Sequence, residues 1–145
     1  MIPLRTALQQ LTQAPAVLVT VLDARGSVPR GRGTRMLVLA DGFAATIGGG
    51  HLEYQAIAHA RRLLAGETQE LQIRHVLGPS LGQCCGGAVE LGFEPVGAAD
   101  VARVSRLLTP PRAPLALFGG GHVGRAIVQT LAPLPFALRW IDSRD

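Results

Sequence analysis

The sequence of 145 residues contains no lysine and no asparagine. All fourteen basic residues are therefore arginines, and against ten acidic residues they give a net charge of +4. A Walker A phosphate loop requires a lysine, and so does a Schiff base to pyridoxal phosphate or to a carbonyl substrate. The missing lysine excludes both kinds of enzyme.

Cysteine, aromatic side chains and long apolar runs are also scarce. The two cysteines, Cys84 and Cys85, are too few for a disulfide framework or a structural zinc site, and they fit a reducing compartment. One tryptophan and one tyrosine offer little surface for stacking nucleic-acid bases. No stretch approaches the length of a membrane span, and no signal sequence is recognisable. We expect a cytoplasmic protein that binds neither nucleic acid nor a membrane.

Leu, Ile, Val and Phe supply 43 of the 145 residues, which is enough for a buried core. Hydrophobic periodicity predicts helices over 3–13, 51–65, 101–108 and 123–131. Short apolar runs predict strands over 16–22, 36–40, 43–47, 69–77, 88–93, 115–118 and 137–141. The first strand is a nearly unbroken apolar run, which is typical of burial on both faces, and Asp41-Gly42 predicts a tight hairpin.

A glycine pattern marks the start of a second domain. Gly119-x-Gly121-x-x-Gly124 directly follows an apolar strand and opens a helix, and Asp142 lies 18 residues beyond its last glycine. This context is typical of a Rossmann-like βαβ unit, in which the loop binds a dinucleotide and the acid accepts a ribose hydroxyl. His122 in this loop is a ligand-contacting candidate. A unit that keeps the turn and binds nothing is the alternative.

The sequence thus predicts an α/β protein of two domains. Residues 1–108 form a mixed α/β domain, the proline-rich residues 109–114 form a linker, and residues 115–145 begin a Rossmann-like domain. Two parallel strands and one helix cannot bury both sheet faces, so we expect this second domain to be truncated after its first βαβ unit. Unpaired strands in such a domain favour a homodimer.

Two further segments could hold an anion. The first contains Ser27, Arg30 and Arg32 among glycines, and arginine binds oxyanions through a bidentate fork. A solvated basic loop is the alternative. The second is Gly48, Gly49 and Gly50 at the start of a helix, where bare N–H groups attract anions, although three glycines also suit a simple turn. Glu53 either complements the helix dipole or contacts the ligand.

The cysteines lie in a third glycine-rich segment beside Gln83. Cys84 and Cys85 are separated from neighbouring elements by glycines, so exposed thiols with a lowered pKa near arginine are one interpretation. Buried cysteines that serve only as small apolar residues are the other. A soft thiolate suits a thiophilic metal or a sulfur-handling reaction, and this makes both cysteines candidate metal ligands.

Five motifs in this order resemble the xanthine dehydrogenase accessory protein family, XdhC/CoxI. They are Arg25-Gly-Ser-Val-Pro-Arg30, Gly33-Thr-Arg-Met36, Thr46-Ile-Gly-Gly-Gly-His-Leu-Glu53, Gly82-Gln-Cys-Cys-Gly-Gly87 and Phe118-Gly-Gly-Gly-His-Val-Gly124. The resemblance implies an α/β domain followed by a Rossmann domain. It also implies a chaperone, not an enzyme, that binds the molybdopterin form of the molybdenum cofactor, protects it during sulfuration and delivers it to xanthine dehydrogenase or a related molybdenum hydroxylase.

On this resemblance, the cofactor-binding residues are those of the three glycine-rich segments and of the Rossmann loop. They are Ser27, Arg30, Arg32, Gly48, Gly49, Gly50, Glu53, Gln83, Cys84, Cys85, Gly119, Gly121, His122, Gly124 and Asp142. Sulfuration admits a cysteine desulfurase as a further partner, and a dinucleotide is a second expected ligand of the Rossmann loop. Two alternatives remain: a nicotinamide-dependent oxidoreductase, and an adaptor of a molybdoenzyme that holds no cofactor.

Overall fold

A sheet of five strands organises the N-terminal part of the chain. The computed structural model describes residues 1–77 and 86–143, which divide into two compact units, Met1–Leu108 and Thr109–Asp145. Unit 1 contains helices α1 (Leu4–Leu11), α2 (Gly50–Leu64) and α3 (Val101–Leu108). Its strands are β1 (Ala16–Arg25), β2 (Arg35–Val38), β3 (Phe43–Ala45), β4 (Gln72–Val76) and β5 (Ala88–Val96).

The strands of unit 1 lie in the order β3-β2-β1-β5-β4, and every neighbouring pair is antiparallel. β2 and β3 form the hairpin predicted at Asp41-Gly42, closed by a 2.9 Å backbone hydrogen bond from the Leu39 N–H to the Gly42 carbonyl oxygen. A 2.8 Å bond from the Ile2 N–H to the Phe43 carbonyl oxygen joins the N-terminal segment to β3. The long strand β1 is central, because β2 pairs along one edge of it and β5 along the other.

Both faces of β1 are buried, as its nearly unbroken apolar run predicts. Val17, Val19 and Val21 point into one cluster, which includes Leu52, Ala56 and Ala60 of α2. The alternate residues Ala16 and Leu18 belong to a second cluster with side chains of α1 and α3. Unit 1 therefore has three layers, with α2 on one face of the sheet and α1 with α3 on the other. This confirms the predicted α/β class, although the sheet is antiparallel.

Several predicted strand boundaries are wrong: β2 ends at Val38 and β3 at Ala45, each before its predicted end, whereas β5 continues to Val96. Two further differences involve pairing with β5. β1 continues past Leu22 to Arg25, because Asp23, Ala24 and Arg25 pair with β5 after a register shift between Val21 and Asp23. β4 begins at Gln72 and not at Gln69, because its first paired residue is Gln72, opposite Gly92. Both differences come from pairing with β5, which local hydrophobicity does not reveal.

Unit 2 consists of β6 (Ala113–Phe118), α4 (His122–Leu131) and β7 (Phe136–Ile141). The two strands pair in parallel, with Phe118 opposite Ile141, so the predicted βαβ unit is present. β6 begins inside the predicted linker, because Ala113 pairs with Phe136. Among the described residues of this unit, only Gly124 is buried.

The longest helix among the described residues is α2, with 15 residues. Within this part of the chain no helix combines the length and the apolar character needed to cross a membrane.

Candidate functional site

Three of the motif segments come together at one end of the sheet in unit 1. They are the loop after β1, here called the arginine loop (residues 26–34), the turn before α2 (residues 46–49) and the pair Gly86 and Gly87 before β5. The sequence separates them by tens of residues. Pairing of β1 with β2 and β5 is what brings their ends together.

The contact between the arginine loop and the turn before α2 is made by Pro29 and Gly48. A Cβ on Gly48 would lie 2.4 Å from the Pro29 Cβ and 3.4 Å from the Arg30 Cγ. Gly48 also has a φ of +126°, which favours glycine. The stem of Arg30 therefore lies beside the N-terminus of α2, and only glycine fits between them.

The pair before β5 contacts the other end of the arginine loop. Ser27 and Gly86 form an isolated parallel bridge. A Cβ on Gly87 would lie 2.3 Å from the Ser27 carbonyl oxygen and 2.7 Å from that of Arg25. This close approach ties the start of β5 to the arginine loop. The predicted site residues Gln83, Cys84 and Cys85 immediately precede Gly86 in the sequence and lie outside the described residues.

Glu53 lies in the first turn of α2, and its Oε2 atom accepts hydrogen bonds from the turn that precedes the helix. The donors are the Thr46 hydroxyl, the Ile47 N–H at 3.0 Å and the Gly49 N–H at 3.1 Å. The Gly48 N–H donates to the Thr46 hydroxyl at 3.0 Å. Two of the three glycine N–H groups predicted to hold an anion therefore donate to side chains of the motif itself.

The arginine loop is positively charged and open. Arg30 and Arg32 are exposed, and neither makes a side-chain hydrogen bond to any residue that the structure describes. Arg25 donates from Nε to Asp23 at 2.9 Å. This bond lowers the pKa of Asp23, and the charge of Arg32 adds a smaller effect in the same direction. Arg32 thus lies close enough to act on Asp23, whereas the Cγ of Arg30 borders Gly48 at the start of α2.

The glycine loop of unit 2 is fixed by Trp140. The Trp140 Nε1 donates to the Gly119 carbonyl oxygen at 2.9 Å, and the Gly119 N–H donates to the Ile141 carbonyl at 2.8 Å. A Cβ on Gly124 would lie 2.2 Å from the same Gly119 oxygen. The start of α4 therefore packs directly on the turn after β6, as the glycine pattern predicts, whereas a Cβ on Gly121 would meet nothing within 4 Å.

A groove of about 320 Å³ lies along this loop, between the end of β6 and the first turns of α4. Gly119, Gly121, His122 and Gly124 line it together with apolar side chains. Asp142 directly follows β7, whose last residue pairs with Phe118 at the end of β6. The predicted ribose-binding acid and the glycine loop are thus at the same end of the two strands. This is the placement that dinucleotide binding requires.

Some residues of the site escape a search for reactive side chains. Thr46 and Gly87 lie inside the motifs, but they carry no charge and no metal-binding group. Trp140 lies outside the motifs altogether. Thr46 can be recognised from its position seven residues before Glu53. When several glycines precede a helix, a carboxylate in the first turn can accept hydrogen bonds from the residues before the helix.

Comparisons with known proteins agree with this architecture. Residues 10–75 match the model of the XdhC and CoxI family. The chain is similar to the uncharacterized protein YqeB of Escherichia coli strain K12, with 33% identity over 132 residues, which are 88% of this chain and 22% of YqeB. It is also similar in fold to a xanthine dehydrogenase from Bacillus halodurans, with a TM-score of 0.78 and 18% identity. That match covers 99% of this chain and 63% of the solved one.

Proposed function

Residues 10–75 match the model of the XdhC and CoxI family, and on that premise we propose that the chain is a member of this family that binds the molybdenum cofactor for a molybdoenzyme. It acts as an accessory protein and not as an enzyme. It protects the sulfurated cofactor and delivers it to xanthine dehydrogenase or a related molybdenum hydroxylase. The observation that carries this proposal is the convergence of the arginine loop, the turn before α2 and the Gly86–Gly87 pair at one end of the sheet.

The chemistry of this end of unit 1 suits the cofactor. Molybdopterin carries a phosphate and a pterin ring with many hydrogen-bonding groups, and its dithiolene holds the metal. Arg30 and Arg32 would bind the phosphate, because a guanidinium offers a bidentate fork and stays charged. Ser27 supplies a hydroxyl beside them. Cys84 and Cys85 would approach the molybdenum or its sulfido group, because a thiolate is a soft ligand.

Delivery requires that binding be reversible. The protein need not break or form a bond in the cofactor, since its task is to exclude water and oxygen from a labile group. Transfer then depends on the acceptor enzyme, because only a difference in affinity between the undocked and docked states can release the cofactor. A cysteine desulfurase is the proposed donor of the sulfido sulfur, and the cytoplasm is the proposed compartment.

Unit 2 is the proposed site for a dinucleotide or for the nucleotide portion of the cofactor. The groove along Gly119–Gly124, the start of α4 and the position of Asp142 support this assignment. Both strands of its sheet have an unpaired edge among the described residues, which supports self-association as a homodimer. The same glycine loop favours a nicotinamide-dependent oxidoreductase as the second candidate function.

The test is anaerobic purification of the protein from a host that makes molybdenum cofactor. Molybdenum and released pterin are measured per chain for the wild type and for the double variant Cys84→Ala/Cys85→Ala. A cofactor carrier that uses the thiols retains both in near-stoichiometric amounts and loses them in the variant. Arg30→Gln should lower the retained pterin, whereas Arg61→Gln in the last turn of α2 serves as the matched control and should not.

Other outcomes identify the alternatives. An adaptor binds its molybdoenzyme but retains no pterin, and it is indifferent to the cysteine substitutions. An oxidoreductase quenches or enhances the fluorescence of added reduced nicotinamide dinucleotide. If this chain retains nothing while a longer family member retains both pterin and metal, the site needs residues beyond those of this chain. Absence of pterin and metal from both this chain and the longer family member would contradict the carrier proposal.

A further inference from the structure

A single oxygen atom organises the turn before α2. The Oε2 atom of Glu53 accepts from the Thr46 hydroxyl, the Ile47 N–H and the Gly49 N–H, while the Thr46 hydroxyl also accepts from Gly48. The N–H groups of Ile47, Gly48 and Gly49 are therefore all used within the motif. All three precede Gly50, the first residue of α2, so these bonds fix the approach to the helix.

We propose that Glu53 is a positioning residue whose Oε2 atom holds the turn before α2 through the hydrogen bonds that it accepts. It keeps the turn in the shape that seats Pro29 and Arg30, so that the arginine loop presents Arg30 to the anionic group of the ligand. This inference rests on the proposed function, because it assigns the part of the site that receives the ligand's phosphate.

The geometry distinguishes this role from ligand binding through the same atom. A carboxylate oxygen has two lone pairs, and Oε2 already faces three donors, so Oε2 is committed to the turn and only Oε1 is left for other partners. It also distinguishes the role from a general effect on the helix dipole. A dipole is satisfied by any negative charge near the first turn, whereas here the bonds converge on one atom.

The link from Glu53 to the arginine loop passes through Gly48. Its N–H is held by Thr46, and its Cα faces Pro29 so closely that no side chain fits between them. Arg30 follows Pro29, and its Cγ borders the same position. Release of the turn by loss of Glu53 would therefore displace the surface on which the stem of Arg30 packs.

The test compares Glu53→Ala with Glu53→Gln in the full chain, and Glu67→Ala, an exposed glutamate beyond α2, is the control. Hydrogen exchange of the Ile47 and Gly49 amides reports the turn, and titration with molybdenum cofactor extracted from a molybdoenzyme reports the site. Glu53→Ala should accelerate both amides and weaken cofactor binding, each by about tenfold or more, because bonds to a charged acceptor are lost. Glu53→Gln should retain most of the amide protection and most of the cofactor affinity, because its carbonyl oxygen can take the place of Oε2.

Two results would overturn the inference. One is unchanged exchange of Ile47 and Gly49 in Glu53→Ala. The other is a Glu53→Gln variant as impaired as Glu53→Ala, which would make the charge and not the accepted bonds the cause. Should Glu53→Ala fail to fold, Thr46→Val and Thr46→Ser give the same comparison at the Gly48 amide. Thr46→Val should lose the protection of this amide and the cofactor affinity, whereas Thr46→Ser should retain both. If the wild type binds no cofactor while the variants still show these changes in amide exchange, the proposed function alone is contradicted.

Discussion

At the scale of single residues, the site depends on close approaches that only glycine permits. Gly48 combines a φ of +126° with a position 2.4 Å from Pro29 for any added Cβ. Gly49 has a φ of +75° but open space around it, and Gly31 has neither restriction. Alanine substitutions at these three positions therefore distinguish the cost of backbone strain from the cost of a steric clash.

We expect Gly48→Ala to destabilise unit 1 by about 2 to 4 kcal/mol, because left-handed strain and overpacking against Pro29 add. Gly49→Ala should cost about 1 to 2 kcal/mol from strain alone, and Gly31→Ala about 0.5 kcal/mol or less. Urea unfolding followed by far-ultraviolet circular dichroism measures all three. Equal losses for Gly48→Ala and Gly49→Ala would show that the contact with Pro29 contributes nothing.

His75 on β4 carries a second prediction at this scale. Its Nε2 is buried and has no hydrogen-bond partner among the residues that the structure describes. Burial lowers the pKa of His75 below 6.5, the charge of His59 on α2 lowers it further, and Glu70 opposes both. The unfolded chain therefore takes up the proton more readily than the folded protein does. Stability should be complete above pH 6.5 and should fall as the pH drops from there towards the folded pKa.

Unfolding in urea at a series of pH values from about 8 to about 5, the range in which histidine titrates, checks this prediction. His75→Gln should lose part of the acid sensitivity of the wild type, because glutamine does not titrate. His122→Gln removes an exposed histidine of unit 2 and should leave that sensitivity unchanged. Identical acid dependence in the wild type and His75→Gln would contradict the assignment.

At the scale of elements, α4 and the turn after β6 form the tightest contact of unit 2. Alanine normally stabilises a helix relative to glycine. At Gly124 we expect the opposite sign, with a loss of about 1 to 3 kcal/mol, because the new Cβ would lie 2.2 Å from the Gly119 carbonyl oxygen. That oxygen also accepts from Trp140, so the Trp140 hydrogen bond should weaken with it.

Trp140 is the one tryptophan of the chain, so its indole N–H gives a single resonance. Faster exchange of that proton in Gly124→Ala, with the wild-type rate kept in Gly121→Ala, is the expected pattern. Gly121 is the matched control, because a Cβ there meets nothing within 4 Å and its φ is −71°. An unchanged indole proton in Gly124→Ala would mean that α4 shifts without disturbing the turn.

The sequence predicts elements better than it predicts their edges. Periodicity finds α2 and the buried run of β1, and Asp41-Gly42 finds the hairpin, because these signals are local. The end of β1 at Arg25 and the start of β4 at Gln72 depend on pairing with β5, a long-range contact. The same limit applies to the site: the glycine motifs are visible in the sequence, whereas the contacts of Gly48 with Pro29 and of Ser27 with Gly86 are not.

At the scale of the whole molecule, the two units differ in how much they bury. Unit 1 holds clusters of fully buried side chains on both faces of its sheet. In the described part of unit 2, no residue other than Gly124 is buried, and Phe118 and Val123 are more than 70% exposed, at 74% and 73%. Two strands and one helix bury too little apolar surface to offset the entropy of ordering them.

We therefore expect the two units to differ in hydrogen exchange. In the intact chain, amides of β1, β2 and β5 should exchange only through global unfolding, whereas those of β6, α4 and β7 should exchange through local opening, faster by about a thousandfold or more. Mass spectrometry of peptides from the exchanging protein measures both classes. Because a ligand stabilises the state that binds it, added dinucleotide should slow exchange in peptides covering residues 117–124 if the glycine loop binds it. Protection of unit 2 equal to that of unit 1 at low protein concentration would contradict the expected difference, and protection that rises with protein concentration would show that a second copy covers the exposed faces.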